Sequence, residues 1–261
     1  MKTNTCAAYV AVVCTIVGSS AEPSLGAAQG TGASQAAMSR SLSSSVPSER
    51  LAALEATRAI PVEQRGPELR AALLVLLEQQ NAVVRDATLR GLPLSSLEEP
   101  EFVSTVQRTV AEMKDPASIP ALANAMGMFL LIRPLAEFGE QAVPAVAAVV
   151  RSPNTRYAAV DDGLRVLRLV AERRGSSLTE QSRALIREAA AARLAGAQNF
   201  TTLWYAIDLA AAIGDSSLRG TLQALANDPA QVVARGVRTS RLVEQTRKRA
   251  SDRLAGIRPS P

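Results

Sequence analysis

The sequence predicts an all-α chain, an α-solenoid of about five antiparallel helix pairs, and three observations carry that expectation. The first is composition. Of 261 residues, 47% are hydrophobic but only 3% are aromatic. A core of small and branched aliphatic groups suits closely spaced helices better than a β-sandwich. The second is a repeat. Leu69, Leu73, Leu76, Val83 and Val84 recur with the same internal spacing as Leu218, Leu222, Leu225, Val232 and Val233. Further copies centre on Val106, Val110 and Met113 and on Val143, Val146 and Val149. Successive copies lie about 37 residues apart, a period of helical repeat arrays; the copy around Leu185 and Ile186 is weaker and carries a small insertion. The third is punctuation: Lys114-Asp115-Pro116, Arg151-Ser152-Pro153-Asn154 and Asn227-Asp228-Pro229 join a capping acid or amide to a proline suited to a first helical turn.

Residues 1–21 read as an export signal. Lys2 supplies a positive start, Cys6 to Val17 form an uncharged apolar run, and Gly18-Ser19-Ser20-Ala21 places small residues before a cleavage point ahead of Glu22 and Pro23. The run is 12 residues long, too short for a bilayer that requires roughly 20. Val13 before Cys14 disfavours lipid attachment at that cysteine. Cys6 and Cys14 are the only cysteines, so a cleaved chain has no thiol for a disulfide, a zinc site or a nucleophile. Residues 22–47 are rich in Gly, Ala, Ser and Gln and are expected to be a flexible linker. The repeats then fill 48–258. Leu69, Leu73, Leu76 and Leu77 share one helical face, and a break is expected at Gln79-Gln80-Asn81 before a second helix. Thr155 to Arg173 is another second helix, and the apolar Ile119 to Ile132 is a buried one.

Three segments match a known pattern most clearly: Phe138-Gly139-Glu140-Gln141-Ala142-Val143-Pro144-Ala145-Val146, Asp115-Pro116-Ala117-Ser118-Ile119-Pro120-Ala121-Leu122 and Ile213-Gly214-Asp215-Ser216-Ser217-Leu218. They resemble HEAT-like repeats of the PBS-lyase type. In that family a glycine ends the second helix, a proline-bearing helix opens the next repeat, and a Val-Arg pair follows the corner, as Val84-Arg85 does here. The resemblance covers roughly 49–257 and implies a binding or scaffolding solenoid. Some members are lyases for bilin chromophores or glycosylases for alkylated bases, but those substrates are intracellular, which export disfavours.

Candidate chemistry is sparse. The chain has no histidine, hence neither the commonest general base nor the commonest metal ligand. No catalytic residue, cofactor or metal ligand is predicted. Asp161 and Asp162 are adjacent, but neighbours on a helix point about 100° apart, so they do not form a carboxylate pair. Asn199-Phe200-Thr201 matches a glycosylation acceptor and equally suits a helix cap. Phe200, Trp204, Ile207 and Ala211 form a stripe expected to be core, with Tyr205 beside it. Trp204, the only tryptophan, and Tyr205 are nevertheless the best aromatic anchors for a partner. Arg235, Arg238 and Arg241, three apart in a strongly basic C-terminal segment, are expected to form a ridge along a helix, which is either a solvated capping helix or a patch for an anionic partner: an acidic protein, an anionic glycan or a lipid headgroup. The functional expectation is an exported, non-catalytic binding or scaffolding module that holds a protein, or else a structural subunit of an envelope complex; nucleic acid is disfavoured.

Overall fold

The computed structural model describes residues 27–89, 100–127, 131–153, 155–197, 199–255 and 257. The expected export signal at 1–21 and both cysteines lie outside them. The described residues form thirteen α-helices and no strand: α1 (Ala27–Leu42), α2 (Pro47–Ala59), α3 (Pro67–Leu89), α4 (Pro100–Glu112), α5 (Ile119–Asn124), α6 (Ile132–Glu137), α7 (Val143–Arg151), α8 (Tyr157–Arg174), α9 (Glu180–Gly196), α10 (Phe200–Ile213), α11 (Arg219–Asn227), α12 (Pro229–Val233) and α13 (Ser240–Leu254). None is long and apolar enough to cross a membrane.

Contacts between helices follow a simple order. Each packs on its neighbour in a pair: α1 on α2, α3 on α4, α5 on α6, α7 on α8, α9 on α10 and α11 on α13. Most also pack on the helix one pair further along, as α1 on α3, α3 on α5, α5 on α7 and α7 on α9, or α2 on α4, α4 on α6, α6 on α8, α8 on α10 and α10 on α13. A single apolar core runs from Leu42 to Ile257 through every pair.

The corners form as their residues dictate. Asp115 accepts the Ala117 N–H at 2.9 Å and Asp228 the Ala230 N–H at 2.8 Å, each followed by proline in the first turn. Asn199 accepts the Thr202 N–H at 2.9 Å, which makes this glycosylation-like triplet the cap of α10. The expected second helix at 155–173 is α8.

Three expectations need correction. Residues 27–42, placed within a linker, are a helix that packs on α2 and α3. Leu42 is buried, Met38 packs against the core, and the Gln35 side chain donates to Gln64 O at 2.9 Å and accepts from Gly66 N at 2.7 Å. This adds a pair to the five expected. No break occurs at Gln79–Asn81, because the segment holds neither proline nor glycine, and α3 runs through it; Asn81 instead donates its amide to Ala121 O at 3.0 Å. Finally, the apolar stretch 119–132 is not one helix. The first ends at Asn124, and Gly127 at φ 118° turns the chain with its N–H donated to Asp162 Oδ2 at 3.0 Å.

Gly163 sets the approach of α8 to α7. A Cβ there would lie 2.5 Å from Val150 Cγ2 and 3.4 Å from Met126 Cε, and Val150 is fully buried. Alanine improves helix propensity by about 1 kcal/mol, but overpacking a rigid core costs about 2–3 kcal/mol. Gly163→Ala is therefore expected to lower stability in denaturant titrations by about 1–2 kcal/mol; an unchanged or raised midpoint would show that the two helices have slack.

Candidate functional site

The second helices of the last pairs, α8, α10 and α13, share a polar face. Along α8 it presents Asp161, Arg165, Arg168 and Glu172, a spacing that keeps them in one row. The first three each meet a residue of the next second helix, and Glu172 pairs with Arg168 on α8 itself. The Thr202 hydroxyl donates to Asp161 Oδ1 at 2.5 Å. The Arg165 guanidinium lies over the Tyr205 ring, 5.5 Å from its centroid. Arg168 donates to Asp208 Oδ2 at 3.2 Å.

Asp208 is the centre of the arrangement. Its side chain is 1% exposed, yet it is the one charge in the apolar sequence of α10. Arg249 grips both oxygens, through Nε to Oδ1 at 3.1 Å and a terminal nitrogen to Oδ2 at 2.5 Å. Arg253 Nε reaches Oδ1 at 2.9 Å. Together with Arg168, these bonds fill the roughly four acceptor positions of a carboxylate. Burying such a charge costs several kcal/mol, which charge-assisted bonds of this geometry offset.

Trp204 joins the cluster from the side. Its indole N–H donates to Thr246 Oγ1 at 2.7 Å, and that hydroxyl donates to Leu242 O at 2.7 Å. Arg249 lies over the indole, 5.0 Å from the centroid, and Phe200 meets it edge-on at 5.6 Å. Beside the cluster is a cleft of about 190 Å³, floored by Ala211 and Ala212 and lined by Arg168, Glu172, Asp208, Asp252 and Arg253.

The residues singled out from sequence fare differently. Trp204 and Tyr205 sit on this face, half-buried, each with an arginine over its ring. The stripe expected to be core is split: Ile207 is fully buried, whereas Phe200 is 39% exposed. Arg235, Arg238 and Arg241 do not form a helical ridge. Helix α12 ends at Val233, Gly236 takes a φ of 85°, and α13 begins only at Ser240. Arg235 is half-buried and donates to Leu194 O and, at 2.6 Å, to Gln231 O, while Arg238 and Arg241 are exposed. The sequence marks Arg249 and Arg253 only as members of the basic C-terminal segment, and Arg168 and Asp208 were not singled out. The available signal was Asp208 itself, a lone carboxylate among apolar helix residues. Among the described residues no group of three or more His, Cys, Asp and Glu side chains is placed to hold a metal ion.

Comparison with protein-family models, with curated proteins and with solved structures returned no match to this chain.

Burial pushes the Asp161 carboxyl above its ordinary value; the Thr202 hydroxyl and Arg165 oppose that push and Asp162 adds to it. The folded chain therefore holds this proton more tightly than the unfolded chain. Stability falls as pH rises from the ordinary value of 3.8 through the raised folded value. Asp161→Asn keeps an acceptor for Thr202 and removes the penalised charge, so its melting temperature should exceed wild type at neutral pH and converge with it below pH 3.8. A variant that melts lower at neutral pH would contradict this. Asp208→Ala has the opposite sign. Three guanidiniums lose their shared anion, and chemical denaturation should show a loss of about 3–5 kcal/mol; a loss within error would mean that the arginines relax into solvent without cost.

Proposed function

We propose that this chain is an exported HEAT-like α-solenoid, and that it serves as a non-catalytic module holding a protein partner on the face of α8, α10 and α13. Support for the solenoid comes from the packing order, in which first helices from α1 to α9 touch the next first helix and second helices from α2 to α13 touch the next second helix. Stacked pairs of this kind present an extended surface along one layer. The observation that carries the binding site is the juxtaposition on that layer of Trp204 and Tyr205, each with an arginine over its ring, and a cleft lined by Arg168 and Arg253. Aromatic and arginine side chains are the residue types over-represented at binding hot spots. Here their rotamers are already held by Thr246 and Asp208, which lowers the entropy lost on binding.

A photoreactive phenylalanine analogue at Phe200, an exposed ring against Trp204, tests the reading in intact cells. It should capture one discrete protein, and the same group at Val75, 50% exposed on α3, should not. Equal capture at both positions, or capture at neither, would count against the site. Recovery of the chain in the cytoplasmic fraction would count against export.

A further inference from the structure

The cleft beside Asp208 carries a more specific reading of the same site. Three guanidiniums converge on one carboxylate that uses only some of their N–H groups. Arg253 engages Asp208 through Nε alone, and its terminal nitrogens have no partner among the described residues. Its side chain is 47% exposed. Arg168 engages Asp208 through one terminal nitrogen and approaches Glu172 through Nε at 3.5 Å, leaving its second terminal nitrogen. Both arginines line the cleft over the small side chains of Ala211 and Ala212.

The charges around the cleft limit what it can take. Arg168, Arg249, Arg253 and Lys248 stand against Asp208, Glu172 and Asp252, with Lys248 paired to Asp252 at 2.9 Å. Four cations against three anions leave one positive charge. Glu172 and Asp252 also line the cleft and oppose a phosphate dianion or a densely anionic surface more strongly than a single carboxylate, which carries one charge. The planar fork of a guanidinium fits a carboxylate through two parallel bonds.

We propose that this cleft receives one carboxylate from an acidic segment of the protein partner, bound by the free arms of Arg253 and Arg168. The proposal rests on the reading of this face as a partner-binding surface, and it adds the chemistry recognised there. Trp204, the chain's only tryptophan, is 5.0 Å from Arg249 and serves as a built-in reporter.

The test titrates the full chain with a blocked peptide of alternating Glu and Ser, read by Trp204 fluorescence and by calorimetry. Parallel arms use the Gln–Ser counterpart, inorganic phosphate and anionic lipid vesicles. Saturable binding of the Glu peptide is expected, weakening as salt is raised, with no binding of the Gln peptide. Arg253→Ala leaves Asp208 with Arg168 and Arg249 and should keep the fold by circular dichroism. It should weaken the Glu peptide by about tenfold, whereas Arg238→Ala, exposed in the connection before α13, should not. Equal affinity in wild type and Arg253→Ala overturns the proposal, because the attraction would then be general. Tighter binding of phosphate or vesicles than of the peptide overturns it in favour of those ligands. Failure of the Glu peptide in both readouts overturns it while leaving the binding face standing, provided that the crosslinker at Phe200 still captures its protein.

Discussion

Short helices are costly at their C-terminal ends, where the last four carbonyls lack intrahelical donors, and in this chain arginines from elsewhere supply them. Arg193 of α9 donates to Val150 O at 2.6 Å and Ser152 O at 2.7 Å, at the end of α7. Arg235 reaches Leu194 O near the end of α9. Arg247 of α13 donates to Ala226 O at 3.0 Å and Asn227 O at 3.5 Å, at the end of α11. Arg219 of α11 returns the favour, donating to Ile257 O at 2.5 Å just past α13. A guanidinium fork can reach two carbonyls at once, and a lysine ammonium cannot do so in the same fixed geometry. Arginine supplies each of these four ties. Its cost is visible in Arg193, whose pKa is lowered by burial.

These ties divide the work between the two layers. On the layer of first helices, Arg193 fastens α9 to α7 and Arg235 fastens the connection after α12 to α9, whereas Arg247 and Arg219 tie α11 and α13 within one pair. On the layer of second helices the fastening is between side chains: Asp161 to Thr202, Arg168 to Asp208, Asp208 to Arg249 and Trp204 to Thr246. Those partners are 40 to 42 positions apart, longer than the spacing of about 37 read from the apolar repeat. The insertion expected around Leu185 lies between Asp161 and Thr202 and between Arg168 and Asp208, but not between Asp208 and Arg249 or between Trp204 and Thr246. These side-chain bonds join neighbouring pairs, so one face carries polar groups while the core between layers stays apolar.

What was legible in the sequence was whatever depends on local chemistry. Asp115-Pro116 and Asp228-Pro229 form corners because a carboxylate caps and a proline starts a helix wherever they occur. The repeating Leu69, Leu73 and Leu76 are buried as their spacing requires. What was not legible depends on partners far along the chain. Residues 27–42 look like a linker because they hold few large apolar groups, yet Leu42, Met38 and Gln35 suffice once α2 and α3 provide the other side. The arginine spacing after Arg235 suggested a ridge, but a left-handed glycine and the buried Val237 redirect the chain. Nothing within α13 alone reveals that Arg249 and Arg253 share an anion on α10.

The same partnerships change the meaning of the net charge. A surplus of +5 suggests a diffuse attraction for anions. Several of the arginines behind it are spent on carbonyls, however, and others on Asp208, Asp215 and Glu188. A guanidinium held at a helix end by its own backbone presents little of its fork to a ligand. Exposed arginines such as Arg238 and Arg241 keep that diffuse field, whereas Arg253 is partly engaged and held in place by Asp208. In the proposed reading, recognition on this face depends less on the field of the whole molecule than on how one buried carboxylate orients the cations around it.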